Sequence, residues 1–368
     1  MNRKGMSTTG IAIILVAIIA VAAVAYVVLT MQQPPPQEEP TVALQGAGAT
    51  FPAPLITKWA SEYNKLHPTI TINYGSQGSG AGINAITAQT VDFGASDAPL
   101  KASEKAAAPR LLLQIPETIG SVTISYNIPG VTQNLNMTGD LIAKIFLGNI
   151  TVWDDPQIAS LNPGATLPDK AIFTVHRSDS SGTTFVFTDY LSRVSADWTR
   201  IVGKNKAVSW PVGLGAKGNE GVTGVVQGNS YSIGYVELNY ATTQSLTFAK
   251  VMNQAGNFVP PSLNTTAEAV VQSAQSLPSG DGNWESVSIV NAPGAKSYPI
   301  SSMTYLLVYK DQTDRVKGKA LADFLWWVIH DGQAYSSGLT YVPLPQSVVA
   351  INEATIRMIN YNGTAFIS

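Results

Sequence analysis

Val175-His176-Arg177-Ser178-Asp179-Ser180-Ser181-Gly182-Thr183-Thr184-Phe185 packs a strand end, a polar turn and a helix start into one short stretch. Apolar residues from Ile172 predict a strand ending at His176, and Thr183 to Val194 predicts a helix. A helix start leaves backbone N–H groups without partners, and the aligned peptide dipoles make that end positive. Gly182 lets the backbone approach a ligand closely, and the serine and threonine hydroxyls add donors. Arg177 brings a planar fork suited to oxyanions. The set describes a seat for a tetrahedral anion. Taken alone, the same residues also read as an ordinary helix cap.

Outward from this turn, the pattern repeats. Val42 to Leu44 predicts a strand, followed by a Gly-rich turn with Thr50 and a helix from Pro54 to Leu66. Leu55, Trp59, Tyr63 and Leu66 fall on one face of that helix. Ile70 to Tyr74 alternates as a strand, and Gly75 to Gly82 opens a helix from Ile83 to Ala88. This second turn lacks the Gly-Lys-Ser/Thr of a nucleotide-binding loop. Val91 to Asp97 predicts a strand whose end carries Ser96 and Asp97, the place where open α/β sheets bind ligands. Ser121 to Asn127 and Met303 to Tyr309 predict further strands, with Ile128-Pro129-Gly130 as a hinge. Helices are expected over Thr138 to Leu147, Asn219 to Gln227, Asn264 to Ser276, Arg315 to Ile329 and Gln346 to Asn360, and Trp210 to Gly215 reads as a loop. Strands alternating with helices imply an α/β fold with mostly parallel sheets.

Composition narrows the partner classes. The chain has 368 residues, enough for two domains, with 12% charged residues and a formal net charge of -2. No basic field is present to hold nucleic acid. The absence of cysteine removes disulfide and thiolate chemistry, and three histidines (His67, His176, His330) leave little for a metal site. Neither a metal nor a cofactor is expected. Residues Gly10 to Thr30 are uncharged and nearly all apolar, the length of a membrane-spanning helix. Arg3 and Lys4 before it predict a cytoplasmic N-terminus (residues 1–9) with the remaining chain outside. The segment over 10–30 reads as a retained transmembrane anchor, a signal cleaved after Ala23-Val24-Ala25, or a segment processed near Lys4-Gly5, and the anchor is favoured because the run exceeds a usual cleaved core. The Pro-rich stretch over 31–41 reads as a tether.

Several longer segments then carry a resemblance. They are Gly46-Ala47-Gly48-Ala49-Thr50-Phe51-Pro52-Ala53-Pro54, Thr90 to Asp97 (TVDFGASD), Ile145 to Pro156 (IFLGNITVWDDP), His176 to Thr183 (HRSDSSGT), Lys217 to Val222 (KGNEGV) and Ser232 to Glu237 (SIGYVE). In wording and order they resemble the PstS family, the phosphate-binding subunits of phosphate ABC transporters, from about Leu44 to the C-terminus. The resemblance implies a type II periplasmic-binding-protein fold, two lobes joined by hinge strands, preceded here by the N-terminal transmembrane or signal helix. Lobe I is expected over 42–126 and 302–368 and lobe II over 127–301, with crossings near Asn127 and Ser301. It implies a phosphate site built from Thr50, Phe51 (through its N–H), Ser79, Asp97, Arg177, Ser181, Gly182 and Thr183, with Asp179 bracing Arg177. Ser180 stands where the family often has glycine, and the wording around Gln77 to Gly80 leaves Ser76 and Ser79 as alternatives. The implied partners are inorganic phosphate, a membrane-embedded ABC phosphate permease, and the membrane through the N-terminal helix.

The chemistry agrees with that expectation. Ionised aspartate only accepts hydrogen bonds. Monohydrogen or dihydrogen phosphate can donate one and sulfate at neutral pH cannot, so Asp97 would select between them. Rival readings remain on the residues alone: another tetrahedral oxyanion on the same fold, a surface adhesin or filament component, or a hydrolase using Ser181, His176 and Asp179. Against the hydrolase, His176 and Arg177 adjoin on a strand and should face opposite ways, and no Gly-x-Ser-x-Gly elbow occurs.

Overall fold

Two strands longer than their neighbours set the architecture: β4 (Leu112–Asn127) and β12 (Ser301–Tyr309). The computed structural model describes residue 5 and residues 7–31, 41–273 and 277–368. The elements run α1 (Thr8–Met31), β1 (Val42–Gly48), α2 (Ala53–Leu66), β2 (Ile70–Ser76), α3 (Ser79–Thr87), β3 (Phe93–Ser96), α4 (Ala102–Ala107), β4, β5 (Asn136–Met137), α5 (Gly139–Phe146), α6 (Pro156–Leu161), β6 (Phe173–Arg177) and α7 (Gly182–Val194). They continue as α8 (Ala196–Ile201), β7 (Leu214–Ala216), α9 (Gly218–Gly228), β8 (Ser232–Glu237), α10 (Leu238–Thr243), β9 (Thr247–Phe248), β10 (Lys250–Met252), β11 (Phe258–Val259) and α11 (Leu263–Ser273). After β12 come α12 (Arg315–Ile329), α13 (Gln346–Ile356), β13 (Asn360–Tyr361) and β14 (Thr364–Ala365).

The main sheet has the strand order β2-β1-β3-β12-β4-β8-β6-β7, with β9 also on β4. Its flanks are parallel: β1 pairs with β2 and β3, and β6 with β7 and β8. Its centre is antiparallel, from β3 through β12 and β4 to β8. The sheet is therefore mixed rather than mostly parallel. Strand–helix–strand crossovers build the flanks, while β4 and β12 run back between them.

β4 changes partner along its length. Leu112 to Ser121 pair with β12, and Val122 to Asn127 pair with β8. The sequence reading found only its second half, because Pro116 and Glu117 interrupt the apolar run. Proline cannot donate to a ladder, and it is tolerated here at a register shift between Thr304 and Tyr305 of β12, opposite Glu117.

Local patterns hold with a few corrections. On α2, Leu55, Trp59 and Tyr63 are buried as expected, and Trp59 Nε1 donates to Gly332 O at 2.7 Å. Leu66 instead lies exposed at the end of that helix, beyond the packed turns. Helix α3 starts at Ser79, four residues before the expected Ile83, because Gly78 takes a positive φ of 101° and turns the chain directly into it. Leu214 to Ala216 form an edge strand where a loop was read. Helix α13 ends at Ile356, and Asn360 already belongs to β13. The expected helix end at Ser276, the basic residues Arg3 and Lys4, and the tether over 32–40 lie outside the described residues.

Helix α1 forms a unit of its own with the described residues around it, separate from the unit Val42–Ser368. Thr8 to Val28 are long and apolar enough to cross a membrane, with no charged residue.

Candidate functional site

Five segments meet at the carboxyl ends of the parallel strands. They are the β1–α2 turn with Thr50 and Phe51, the start of α3 with Ser79, the end of β3 with Asp97, the β6–α7 turn with Arg177 to Thr183, and the start of α9 with Asn219. Ligands in open α/β sheets sit at this end. All eight residues expected in the site, Thr50, Phe51, Ser79, Asp97, Arg177, Ser181, Gly182 and Thr183, are buried.

Arg177 ends β6 and is 3% exposed. Its Nε and Nη2 donate to the two carboxylate oxygens of Asp179, at 2.7 and 2.5 Å, and Nη1 donates to Thr183 Oγ1 at 3.2 Å. A guanidinium carries five N–H groups, so one on each terminal nitrogen is left. Those two are left to meet an oxyanion. Asp179 is held as a brace from its other side by Gly218 N–H at 3.1 Å. Burial raises its pKa, but Arg177 outweighs that and the carboxylate ends below its ordinary value.

Helix α7 begins as an anion site would. Ser181 caps it, accepting from Thr184 N–H at 3.1 Å, so the ordinary-cap reading is correct for this side chain. The same hydroxyl keeps its own proton to donate. Among the described residues no protein acceptor takes the N–H groups of Gly182 and Thr183, nor that of Phe51, nor that of Ser79 at the start of α3. Gly182 is required by space. A Cβ built there would lie 2.4 Å from Asp97 Oδ2 and 2.4 Å from Ser79 Oγ.

Asp97 is 1% exposed. Its N–H donates to Ser79 Oγ at 3.1 Å, and Ser79 Oγ lies 3.5 Å from Asp97 Oδ2. Its Oδ1 has no hydrogen-bond partner among the described residues. Burial pushes its pKa from 3.8 up to about 8, although Arg177 and the Ser79 hydroxyl pull it down. Of the two serine alternatives, Ser79 adjoins Asp97, whereas Ser76 Oγ has no hydrogen-bond partner among the described residues.

Residues missed by the sequence reading complete the arrangement. Asn219 Nδ2 donates to Thr50 Oγ1 at 2.8 Å and to Thr183 Oγ1 at 3.1 Å. Tyr235 Oη accepts from Arg177 N–H at 3.0 Å and shares a 2.7 Å hydrogen bond with Thr184 Oγ1. Tyr240 Oη donates to Thr50 O and Tyr341 Oη to Phe51 O, both at 2.7 Å. Asn219 follows a glycine at a helix start within the family-like segment Lys217 to Val222, and that is its signal in the sequence. The tyrosines carry no local signal that marks them out in the sequence.

No triad forms. His176 Nδ1 lies 3.0 Å from Arg177 O and its ring stacks on Trp210, with centroids 4.7 Å apart. His67 packs against Tyr63 at the end of α2, and His330 joins Trp326 O and Glu353 at the end of α12. Among the described residues no three histidine or acidic side chains are grouped to hold a metal.

Comparison with known proteins decides the family. Residues 35–331 match the PBP superfamily domain. The phosphate-binding protein PstS of Pasteurella multocida is 45% identical over 312 residues, covering 83% of this chain and 87% of the relative. The chain belongs to the PstS family. A PstS phosphate-binding protein from the archaeon Methanocaldococcus jannaschii is 39% identical over 346 residues, covering 89% of each chain. Among solved structures, a high affinity periplasmic phosphate-binding protein, PfluDING, bound with phosphate at pH 8.5, superposes with a TM-score of 0.69 at 22% identity. The match covers 85% of this chain and 93% of that one, and it shows that the fold is shared.

Proposed function

We propose that this chain captures inorganic phosphate outside the cytoplasm and hands it to an ABC-type permease, binding without turnover. The observation that carries the reading is the pairing of many donors with one acceptor. Two remaining Arg177 N–H groups, free N–H groups at Phe51, Ser79, Gly182 and Thr183, and nearby hydroxyls face a site whose buried acceptor is Asp97. Such a set replaces the water around a strongly hydrated anion with fixed donors, and its carboxylate suits an anion that brings a proton. Membership of the PstS family supports both the ligand and the transport partner.

The binding residues are proposed to be Thr50, Phe51, Ser79, Asp97, Arg177, Ser181, Gly182 and Thr183, with Asp179 behind Arg177. Their burial supports two lobes that open to admit the ion. The partner change on β4 supports a crossing at Ser121/Val122, a little before Asn127, and the start of β12 supports one at Ser301. Titration calorimetry on the full-length chain in detergent is the test. Phosphate is expected to bind one to one and to resist a large excess of sulfate. Equal competition by sulfate would reject the selectivity, and no phosphate binding would reject the reading.

Helix α1 supports a location at the membrane with the body outside the cytoplasm, and retention as an anchor is part of the proposal. Membranes washed with alkaline carbonate should keep the protein, and the mature N-terminus should precede Thr8. Release into the wash, or a mature terminus at or beyond Tyr26, would show a cleaved signal instead.

A further inference from the structure

Asn219 lies at the first turn of α9, fully buried, and hydrogen-bonds no charged side chain among the described residues. Its backbone N–H and its Nδ2 both donate to Thr50 Oγ1, at 3.2 and 2.8 Å. Nδ2 also donates to Thr183 Oγ1 at 3.1 Å, an oxygen that takes a second N–H from Arg177 Nη1 at 3.2 Å. A hydroxyl has one proton to give and two lone pairs to fill. Each threonine oxygen thus receives two N–H donors, and its lone pairs are spoken for. The single O–H that remains on each can only donate. Neither O–H meets a protein acceptor among the described residues.

The orientation of the amide is not arbitrary. Asn219 Oδ1 accepts the backbone N–H of Glu237 at 3.0 Å. A flipped amide would set its NH2 against that N–H, and would present its oxygen to both threonines. The strand end at Glu237 therefore chooses the face that Asn219 shows to the site.

We infer that Asn219 is a positioning and specificity residue: it turns the Thr50 and Thr183 hydroxyls into obligatory donors toward a bound oxyanion. The inference rests on the phosphate reading above and adds a mechanism to it. With both threonine hydroxyls barred from accepting, Asp97 is left as the charged acceptor that counts the protons on the ligand. Without Asn219 each hydroxyl could rotate and accept a proton from a more protonated or differently shaped ligand.

A double-mutant cycle tests this, because residues acting through one another are non-additive. Phosphate affinity is measured for the full chain, for Asn219→Leu, for Thr50→Val with Thr183→Val, and for all three changes together. Asn219→Leu is expected to weaken phosphate by roughly tenfold to a hundredfold in the natural background, the size of one or two hydrogen bonds to a charged group. In the valine background the same change is expected to cost less than about threefold, since no hydroxyl is left to orient. An equal loss in both backgrounds overturns the inference and makes Asn219 a merely structural contact. Asn219→Asp, which keeps the shape and the backbone N–H, covers the case in which leucine does not fold. Its carboxylate accepts both threonine protons, so phosphate should bind weakly at pH 8 and recover in part as the pH falls and residue 219 is protonated, its single O–H then feeding one of the two threonines. Affinity that does not recover with acid, in a folded chain, also overturns the inference. A natural chain that binds no phosphate at all removes the phosphate reading itself, and this inference with it.

Discussion

Arg177→Ala is expected to reduce phosphate affinity by at least about a hundredfold, measured by titration calorimetry on the full-length chain. Truncating one partner of a buried charge pair costs about 2–5 kcal/mol, much of it from the charge left behind. Here the charge left behind is Asp179, whose carboxylate takes two of its bonds from Arg177. Asp97 would also lose the cation that opposes its burial. The variant would present an anion with two carboxylates and no full positive charge among the site residues. Thr183 would lose one of its two N–H donors as well. Arg177→Lys is expected to rescue only part of the loss, because an ammonium cannot engage both oxygens of Asp179 and an oxyanion edge at once. Near-normal affinity in the alanine variant would remove Arg177 from the site.

Sulfate affinity, by contrast, should depend on pH, rising about tenfold for each unit between pH 8 and pH 5, while phosphate affinity changes much less. Exposed to water, Asp97 would titrate near its ordinary 3.8, whereas buried in the site it is pushed up to about 8. Holding sulfate, which carries no proton at these pH values, beside the buried Asp97 therefore requires Asp97 to take one from solvent. At pH 7 that uptake costs about 4 kcal/mol, since each unit above the exposed value is about 1.4 kcal/mol. A group whose value is raised by burial favours the buried, ligand-holding site at low pH, and that contribution is lost as pH rises through about 8. Phosphate brings its own proton, shared with Asp97, so its capture needs little or no uptake. Asp97→Asn should abolish the sulfate slope, because the amide donates an N–H at every pH. Sulfate affinity at pH 7 should rise by roughly a hundredfold to a thousandfold, with phosphate weakened by about tenfold, so selectivity suffers more than binding. A flat sulfate profile in the natural chain, or a slope that survives in the Asp97→Asn variant, would falsify this role.

Most elements near the site were legible in the chain because each is local. The β6–α7 turn combines a strand run, an arginine, a capping serine and a glycine within a few residues, and every one of those signals acts between near neighbours. The helix over Arg315 to Ile329 was read to the residue because Asp314 caps its start, accepting from Val316 and Lys317 N–H groups. What failed was non-local. Pro116 and Glu117 look like a break, and only their position opposite the irregular step between Thr304 and Tyr305 lets the strand continue through them. Asn219 looks like any polar residue at a helix start, and its partners lie far away in the chain at Thr50 and Thr183.

By itself the sequence determined which groups could meet an anion: the arginine, the glycine-rich helix starts, the hydroxyls and the one out-of-place carboxylate at Asp97. Those are properties of residue type and short spacing, and they survive in any fold that buries the apolar faces. Tertiary structure alone decided their protonation and polarity. The depth at which Asp97 is buried sets where it titrates, and the crowding of N–H groups around Thr50 and Thr183 sets which way their protons point. Both depend on how much water is excluded and on which distant dipoles are brought within 3 Å or so, quantities that no local pattern of residues contains.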